Sequence, residues 1–194
     1  MKIGSAFYQN PDVVEVARQL LGKVLFTRIN NQLTGGIITE TEAYNGIVDK
    51  ASHAFGGRRT PRTEIMYSPG GTAYIYLCYG IHSLFNVVTN SEGIPHAVLI
   101  RSIVPFSGEK IMHSRRGIKV SASSLYNGPG KVCTALGIHY SLSGTSLSGN
   151  KIWIEDEGIS IVKKQIEISP RIGVDYAGDD AQLPYRFVLN QKFF

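Results

Sequence analysis

The residues Ile37–Tyr44 place two acidic side chains and a tyrosine at alternate positions of one short segment. If this segment is a β-strand, Ile38, Glu40, Glu42 and Tyr44 point to the same face, because strand side chains alternate between faces. Carboxylates are depleted in sheets and costly on a buried face unless they are hydrogen-bonded or paired with a cation. The segment therefore predicts either an edge strand with a solvated acidic face or a functional site built on a carboxylate.

A second stretch supplies aromatic and amide groups. Tyr74, Tyr76 and Tyr79 fall in one predicted hairpin arm and its turn, and in the register that we expect, Tyr76 lies opposite Asn86 on the same face. Aromatic walls, an amide and the Glu42 carboxylate would suit a planar heterocycle, held by stacking and recognised at its edge by hydrogen bonds. The alternative is that these tyrosines simply pack in the core.

Periodicity and turn residues predict the elements that position these groups. A helix begins near Asn10, the candidate N-cap before Pro11, and ends at Gly22. Strands 23–29 and 35–44, joined by a turn at Asn30 and Asn31, form one hairpin, and strands 72–78 and 84–90 form another. The remaining predicted elements are strands 97–105, 152–155, 159–168 and 185–189, helices 108–116 and 129–136, and a polar connection at 121–126.

The segments between these elements carry positive charge and one unusual turn. The long loop 45–71 contains Arg58, Arg59 and Arg62, and a loop of this length is more often functional than idle, with disorder as the alternative. The second hairpin has Tyr79 and Ile81 at its tip, where turns normally carry Gly, Asn, Asp or Pro. An exposed apolar tip indicates insertion into another molecule.

Two further segments predict contacts with charged groups. Arg101 lies within an apolar strand, and a cation in such a place usually has a carboxylate partner. The segment 127–131 (Asn-Gly-Pro-Gly-Lys) could present backbone amides to a phosphate, although its spacing is not that of a nucleotide P-loop.

The length and charge limit the class of protein. A chain of 194 residues with 43% hydrophobic content is large enough to bury one core, which predicts one domain over residues 1–194. The net charge of +5 is compatible with a polyanionic partner. Other basic residues cluster at Arg115, Arg116 and Lys119 and at Lys163 and Lys164.

Several other classes are disfavoured. Cys78 and Cys133 lie in apolar surroundings without metal-binding spacing, so reduced core cysteines are expected. The histidines form no HxH, HxxxH or HExxH pattern, and there is no GxSxG elbow or GxGxxG fingerprint, so no metal and no cofactor is predicted. The first ten residues lack a signal-peptide core, and the longest apolar run is too short to span a membrane, which predicts a cytoplasmic protein without a membrane partner.

A series of motifs extends through most of the chain in a fixed order. They are Leu20-Leu21-Gly22, Glu40-Thr41-Glu42-Ala43-Tyr44, Ala51-Ser52-His53, Gly57-Arg58-Arg59-Thr60-Pro61-Arg62, Tyr74-Ile75-Tyr76, Tyr79-Gly80, Asn86-Val87, Val98-Leu99-Ile100-Arg101, Asn127-Gly128-Pro129-Gly130-Lys131 and Pro170-Arg171-Ile172-Gly173. Together they resemble the alkyladenine (3-methyladenine) DNA glycosylase family of the mammalian type, which also has many bacterial members. The resemblance implies an α+β fold, with a curved, largely antiparallel β-sheet packed by surrounding helices.

The resemblance also implies an activity. The enzyme would flip an alkylated or deaminated purine out of double-stranded DNA and hydrolyse its N-glycosidic bond, leaving an abasic site. Glu42 would be the general base that activates water, Arg101 would help to hold that water and the carboxylate, and Glu40 would have a supporting role. This agrees with an oxocarbenium-like transition state, which a nearby carboxylate stabilises. Lys50 and Lys131 are available amines, but the family acts through water, so a monofunctional glycosylase is predicted.

The base pocket and the DNA contacts follow from the same resemblance. Tyr44, Tyr76 and His53 would be the stacking walls, and Asn86, helped by Leu99, would obstruct the exocyclic amino group of normal guanine. The remaining implied contacts are Tyr79 as the wedge in the minor groove and Arg58, Arg59, Arg62 and Lys131 on phosphates.

Some points stay open at the level of sequence. Ile81 and His82, beside the wedge, depart from the mammalian pattern, so the DNA contacts there are undefined. The preferred base among 3-methyladenine, 7-methylguanine, hypoxanthine and ethenoadenine is likewise undetermined, and the family suggests a monomer. A non-catalytic module that binds distorted DNA or RNA is the alternative, although the presence of both Glu42 and Arg101 argues against it.

Overall fold

The computed structural model describes residues 1–117 and 126–190, so Lys119 and nearly all of the predicted connection 121–126 lie outside the described residues. In these two ranges, eight strands form one curved sheet in which every pairing is antiparallel. The strands are β1 (Val24–Ile29), β2 (Gln32–Tyr44), β3 (Ala73–Cys78), β4 (His82–Thr89), β5 (His96–Ser107), β6 (Ile152–Glu155), β7 (Ile166–Ser169) and β8 (Arg186–Leu189). The prediction of an α+β fold with a curved antiparallel sheet is confirmed.

The helices are short. They are α1 (Ser5–Tyr8), α2 (Val13–Gln19), α3 (Glu109–Arg116) and α4 (Pro129–Leu136), with 3-10 helices at Gly46–Val48, Phe55–Gly57, Glu64–Tyr67, Tyr140–Leu142, Lys163–Gln165 and Asp175–Gln182. The main core lies where α2 and α4 pack against one face of the sheet. Within the described ranges, no helix is both long and apolar enough to cross a membrane.

Strand β2 lies at the centre of the sheet. One of its edges pairs with β5, and its other edge pairs with β1 over residues 32–37 and with β8 over residues 40–42. Glu40 and Glu42 therefore lie on a strand with neighbours on both sides, and they are only 4% and 0% exposed. The alternative of an edge strand with a solvated acidic face is wrong, because the two carboxylates are buried.

A pair of β-bulges changes which face the residues of β2 occupy. The Cα partners are Ile38 with Ile103, Glu40 with Ser102 and Thr41 with Ile100. Thr39 on β2 and Arg101 on β5 are thus extra residues, and each one shifts the alternation of its strand. Ile38 packs in the main core, whereas Glu40 and Glu42 contact Arg101. The prediction that Ile38 shares a face with the two acids is therefore wrong.

The N-cap of helix α2 lies two residues after the predicted one. Asp12 is the N-cap residue, and its carboxylate accepts hydrogen bonds from the backbone N–H groups of Val14 and Glu15, each at 3.0 Å. The Asn10 side chain instead accepts from the N–H of Asp12 at 2.9 Å, so the prediction that Asn10 caps the helix is wrong. Gly22 follows the helix with a φ of 80°, a conformation that favours glycine.

Both predicted hairpins form. Asn30 and Asn31 have φ values of 51° and 60°, as the tight turn between β1 and β2 requires. The second hairpin differs in register by two residues, because its loop contains only residues 79–81. Asn86 consequently lies opposite Tyr74, and Tyr76 lies opposite Leu84. The predicted pairing of Tyr76 with Asn86 is wrong, although Tyr74 and Tyr76 still share one face.

Two further predictions concern the C-terminal third and the cysteines. The predicted strand 159–168 is wrong over most of its length, since a 3-10 helix at Lys163–Gln165 precedes β7. Cys78 and Cys133 are both free. Cys133 is buried in the main core as predicted, whereas Cys78 is only half-buried, so the prediction that it is a core residue is wrong.

Candidate active site

Glu42 is a buried carboxylate held by donors from three parts of the chain. Its Oε2 accepts from the Tyr44 hydroxyl at 2.9 Å and from Nη1 of Arg101 at 3.3 Å, and its Oε1 accepts from the backbone N–H of Ile172 at 2.8 Å. The side chain has no exposed surface. The carboxylate is therefore fixed in orientation, since all three donors constrain it at once.

The same surroundings affect its protonation. Burial raises the pKa of Glu42 above its usual value, and the nearby charge of Glu40 acts in the same direction. The charge of Arg101 and the hydrogen bonds from Ile172 and Tyr44 lower the pKa, but they do not outweigh burial. A carboxylate with a raised pKa is a stronger base once it is ionised, which suits proton abstraction from water.

Arg101 joins the two acids of β2. Its Nε donates to Oε1 of Glu40 at 3.1 Å while its Nη1 reaches Glu42, so the expectation of a carboxylate partner is confirmed twice. Glu40 also accepts from Nε of Arg186 on β8 at 2.6 Å. Glu40 thus lies between two arginines and holds the guanidinium that contacts Glu42.

An aromatic pocket of about 110 Å³ opens beside this carboxylate. The predicted site residues that line it are Tyr44, His53, Tyr76, Asn86, Leu99 and Arg101. Tyr44 lies between the pocket and Glu42, and burial together with the charge of Glu42 raises the pKa of its hydroxyl well above the usual value. The hydroxyl therefore stays protonated and donates to the carboxylate.

Asn86 is fixed in the pocket wall by the backbone. Its Nδ2 donates to the carbonyl oxygens of Tyr74 at 3.1 Å and Leu84 at 3.4 Å. Because both partners are acceptors, this end of the side chain must be the nitrogen. The residue is 3% exposed, so it cannot move aside without breaking both hydrogen bonds.

His53 is a neutral side chain in the opposite wall. Its Nε2 accepts from Nη2 of Arg62 at 3.4 Å, so the proton lies on Nδ1, which donates to the Tyr74 hydroxyl at 2.9 Å. Its ring meets that of Tyr76 edge to face at 4.6 Å. Burial, followed by the charges of Arg62 and Arg58, lowers the pKa of His53 to about 4. The imidazole therefore stays neutral down to about pH 5.

We expect Arg62→Gln to raise the pKa of His53 above about 4, since it removes a positive charge, while burial keeps the pKa below its usual 6.5. An NMR titration of the imidazole ring measures the change. Arg59→Gln is the matched control, because Arg59 pairs with Glu64 at 2.6 Å and is not a cause of the shift. An unchanged His53 titration in the Arg62 variant would contradict this account.

The tip of the second hairpin is exposed to solvent, and Arg62 from the loop 45–71 contacts the pocket wall. Tyr79 is 92% exposed and Ile81 is 75% exposed. His82 contacts the first turn of α4, where a Cβ on Gly130 would lie only 3.2 Å from the His82 side chain, so the hairpin lies beside the segment that carries Lys131. Arg62 also covers the Tyr76 ring at 4.7 Å, whereas Arg59 lies over Tyr67 at 3.9 Å. Arg62 therefore contacts two residues of the pocket wall, His53 and Tyr76, and is also a candidate phosphate ligand.

A family model described as methylpurine-DNA glycosylase matches residues 6–193 of this sequence. The chain belongs to the methylpurine-DNA glycosylase family. It is therefore a DNA glycosylase, a hydrolase of N-glycosyl bonds, and the predicted resemblance is confirmed.

Bacterial relatives match this glycosylase over nearly their whole length. A protein of Chlamydia abortus is 50% identical over 188 residues, covering 96% of this chain and 97% of the relative. One of Desulfitobacterium hafniense is 45% identical, covering 98% and 96%, and one of Bacillus cytotoxicus is 43% identical, covering 100% and 98%. Each carries the name "Putative 3-methyladenine DNA glycosylase".

The structure of the glycosylase adds site residues that the sequence did not single out. The Ile172 N–H holds Glu42, and Arg171, one residue before it, pairs with Asp49. Tyr176 lines the pocket mouth, and its hydroxyl donates to the carbonyl of Ala51 at 3.1 Å. The motif at 170–173 is the sequence signal for this segment. A backbone N–H donor cannot be recognised from the residue type, because every residue except proline has one.

The glycosylase also has a larger groove of about 540 Å³, far from these residues. It is lined by the N-terminal residues, α2 and the segment 159–166. Glu42, the aromatic walls and Arg101 all lie elsewhere, so the smaller pocket is the candidate active site.

Proposed function

We propose that this glycosylase removes damaged purines from double-stranded DNA, and that Glu42 is the general base for attack by water. One observation carries the proposal: a buried, oriented carboxylate lies directly behind the wall of an aromatic pocket. The names of the relatives support 3-methyladenine as one substrate. The family resemblance also supports action as a monomer.

The hydrogen bonds of Glu42 leave one acceptor position for a nucleophilic water. A carboxylate offers about four acceptor positions, and donors from the described residues occupy two on Oε2 and one on Oε1. The water would take the remaining position on Oε1. Its oxygen would attack the anomeric carbon as its proton passes to Glu42, while the base leaves with the electrons of the glycosidic bond.

The charges around the site favour this reaction. Positive charge develops on the sugar in the transition state, and the ionised carboxylate stabilises it. Arg101 helps to hold the carboxylate, and Glu40 keeps Arg101 in place through Nε. An alkylated purine is already a good leaving group, so no covalent enzyme intermediate is required.

The pocket walls would hold the flipped base by stacking. Tyr44, Tyr76 and neutral His53 present flat surfaces without placing a cationic side chain on the base. The exposed Tyr79 would fill the gap that the base leaves in the duplex. Arg58, Arg59, Arg62 and Lys131 are the proposed phosphate contacts.

The test is base release from duplex oligonucleotides with one 3-methyladenine, hypoxanthine or ethenoadenine. The expected products are the free base and an intact strand with an abasic site, which breaks only after alkali. Tight binding of damaged DNA without release of any of these bases would support the non-catalytic alternative instead. Strand cleavage without alkali would contradict the monofunctional assignment.

We expect Asn86→Ala to weaken discrimination against normal guanine, because it removes a rigid group from the pocket wall. A contact of this size typically changes discrimination by roughly 10- to 200-fold. The measurement compares guanine release from undamaged duplex with hypoxanthine release by the same variant. Hypoxanthine lacks the exocyclic amino group, so its release serves as the internal control. Equal loss on both substrates would argue for a general packing defect.

A further inference from the structure

The segment that supplies the Ile172 N–H is held to the sheet by one arginine. Arg171 donates through Nη1 to the carbonyl of Ala43 at 2.9 Å and through Nη2 to the carbonyl of Asp180 at 3.1 Å. The two terminal nitrogens, Nη1 and Nη2, also donate to the carboxylate of Asp49, with Nη2 to Oδ1 at 2.9 Å. The side chains of Arg171 and Asp49 are 0% and 1% exposed. This is a bidentate pair shielded from water.

Two backbone N–H groups hold the carboxylate of Asp49 independently of Arg171. Its Oδ2 accepts from the N–H of Asn45 and its Oδ1 from the N–H of Ala51, each at 3.0 Å. The guanidinium of Arg171 also lies 4.8 Å from the ring of Tyr44, the residue that donates its hydroxyl to Glu42. The pair therefore connects the loop after β2, the end of β2 and the segment 170–174.

Ile172 does not anchor itself. Its side chain is 50% exposed, and Gly173 follows with a φ of 74°. The backbone N–H of Ile172 nevertheless lies 2.8 Å from Oε1 of Glu42. Arg171 is the buried neighbour of Ile172, and the next buried side chain, Val174, lies two residues further on, so the position of Arg171 determines where that N–H points.

We propose that Asp49 and Arg171 are positioning residues, whose pair holds the Ile172 N–H against Glu42 and so sets the orientation of the general base. This rests on the proposed role of Glu42. The competing explanation is that the pair only stabilises the fold, as a buried ion pair can when one partner alone would be costly. The two explanations differ in what happens to the protonation of Glu42.

The groups that face Glu42 come from three elements. They are Glu40 and Tyr44 on β2, Arg101 on β5, and Arg171, Tyr176 and the Ile172 N–H on the segment 171–176. The Ile172 hydrogen bond lowers the pKa of Glu42. If that N–H moves away, the pKa of Glu42 rises, and Glu42 becomes an active base only at higher pH. A purely structural defect would lower the rate without moving the pH profile.

The experiment measures single-turnover base release against pH for the wild type, Arg171→Lys and Asp49→Asn. Lysine keeps the charge but loses the bidentate fork, and asparagine keeps the shape but loses the charge. We expect the ascending limb to move to higher pH by roughly half a unit to one unit, with the rate falling about 3- to 10-fold below the limb and recovering above it. Asp156→Asn, which breaks the Lys23–Asp156 pair at 2.6 Å beside the larger groove, should leave the limb in place.

A further variant removes the donor without touching the pair. Ile172→Pro has no backbone N–H, so it should shift the limb in the same direction as Arg171→Lys. Unshifted profiles in whichever variants fold, or equal losses at every pH, would overturn the positioning role. If Glu42→Gln keeps the ascending limb of the wild-type pH profile, the proposed role of Glu42 is overturned instead. The two failures are therefore distinguishable.

Discussion

Glu42→Gln should lower the rate of base release by about 10²- to 10⁴-fold while leaving the affinity for damaged DNA nearly unchanged. Loss of a general base has an effect of this size. Glutamine keeps the shape of the side chain, and its amide oxygen can still accept from Tyr44 and Arg101, while its amide nitrogen loses the hydrogen bond from Ile172, so the pocket walls should retain their form. Single-turnover release and equilibrium binding to a hypoxanthine duplex measure the two quantities separately.

Glu40→Gln is the matched control, because it makes the same change two residues away on the same face. Glu40 accepts only from Arg101 and Arg186 among the described residues, whereas Glu42 also accepts from Tyr44 in the aromatic wall, so the loss of Glu40 should reduce the rate much less. An equal loss in both variants would show that the ion pairs of Arg101 and Arg186, rather than the Glu42 carboxylate, limit the reaction. Full activity in the Glu42 variant would rule out a general base at this position.

The stability of Glu42→Gln should differ from the wild type in a way that depends on pH. Burial raises the pKa of Glu42, so the folded wild type holds its proton more tightly than the unfolded chain. Ionisation therefore reduces the wild-type free energy of unfolding as pH rises from the usual glutamate range through the folded pKa. Glutamine does not ionise. The free energy of unfolding of the glutamine variant, relative to that of the wild type, should therefore increase with pH over that window. Denaturant titrations at several pH values measure it.

Tyr79→Gly should weaken binding to damaged DNA by roughly 5- to 150-fold, which corresponds to about 1–3 kcal/mol for a lost stacking contact. Tyr79 is 92% exposed and contributes nothing to the core. It also has a φ of 51°, a conformation that is unfavourable for a bulky residue. Glycine relieves that strain, so the free energy of unfolding should stay the same or rise although binding falls.

Tyr79→Phe is the control for the wedge, because it keeps the ring and removes only the hydroxyl. We expect it to bind damaged DNA within about threefold of the wild type, since stacking rather than hydrogen bonding provides most of the contact. If the glycine and phenylalanine variants bind equally well, the tip does not enter the duplex. Fluorescence of a base analogue beside the lesion would report the same difference in flipping.

Several predictions from local sequence signals agree with the structure. The Asn30 and Asn31 turn fixed the first hairpin, and alternation placed Glu40 and Glu42 on one face. The exposed apolar residues at the second tip were also predicted from turn chemistry. Each of these features depends on residues that are close together in the chain.

The error on β2 arises where distant segments decide the geometry, whereas the errors at the cap of α2 and in the register of the second hairpin are local. The bulges at Thr39 and Arg101 form because β2 and β5 meet over a long register, and no residue type announces them. Asp49 and Arg171 are 122 residues apart, and the Ile172 N–H reaches Glu42 across 130 residues. Motif resemblance marked the 170–173 segment, but only the folded chain shows that its backbone holds the carboxylate.

The exposure of the hairpin tip has a consequence for protein engineering. This loop of three residues, with two apolar side chains in solvent and open space around Gly80, contributes no side chain to the main core. Grafted tips from other proteins could therefore alter sequence context or lesion preference without disturbing the strand that bears Glu42. With the roles that we propose for Tyr79 and Glu42, the chain separates a replaceable DNA-contacting tip from a buried, fixed carboxylate.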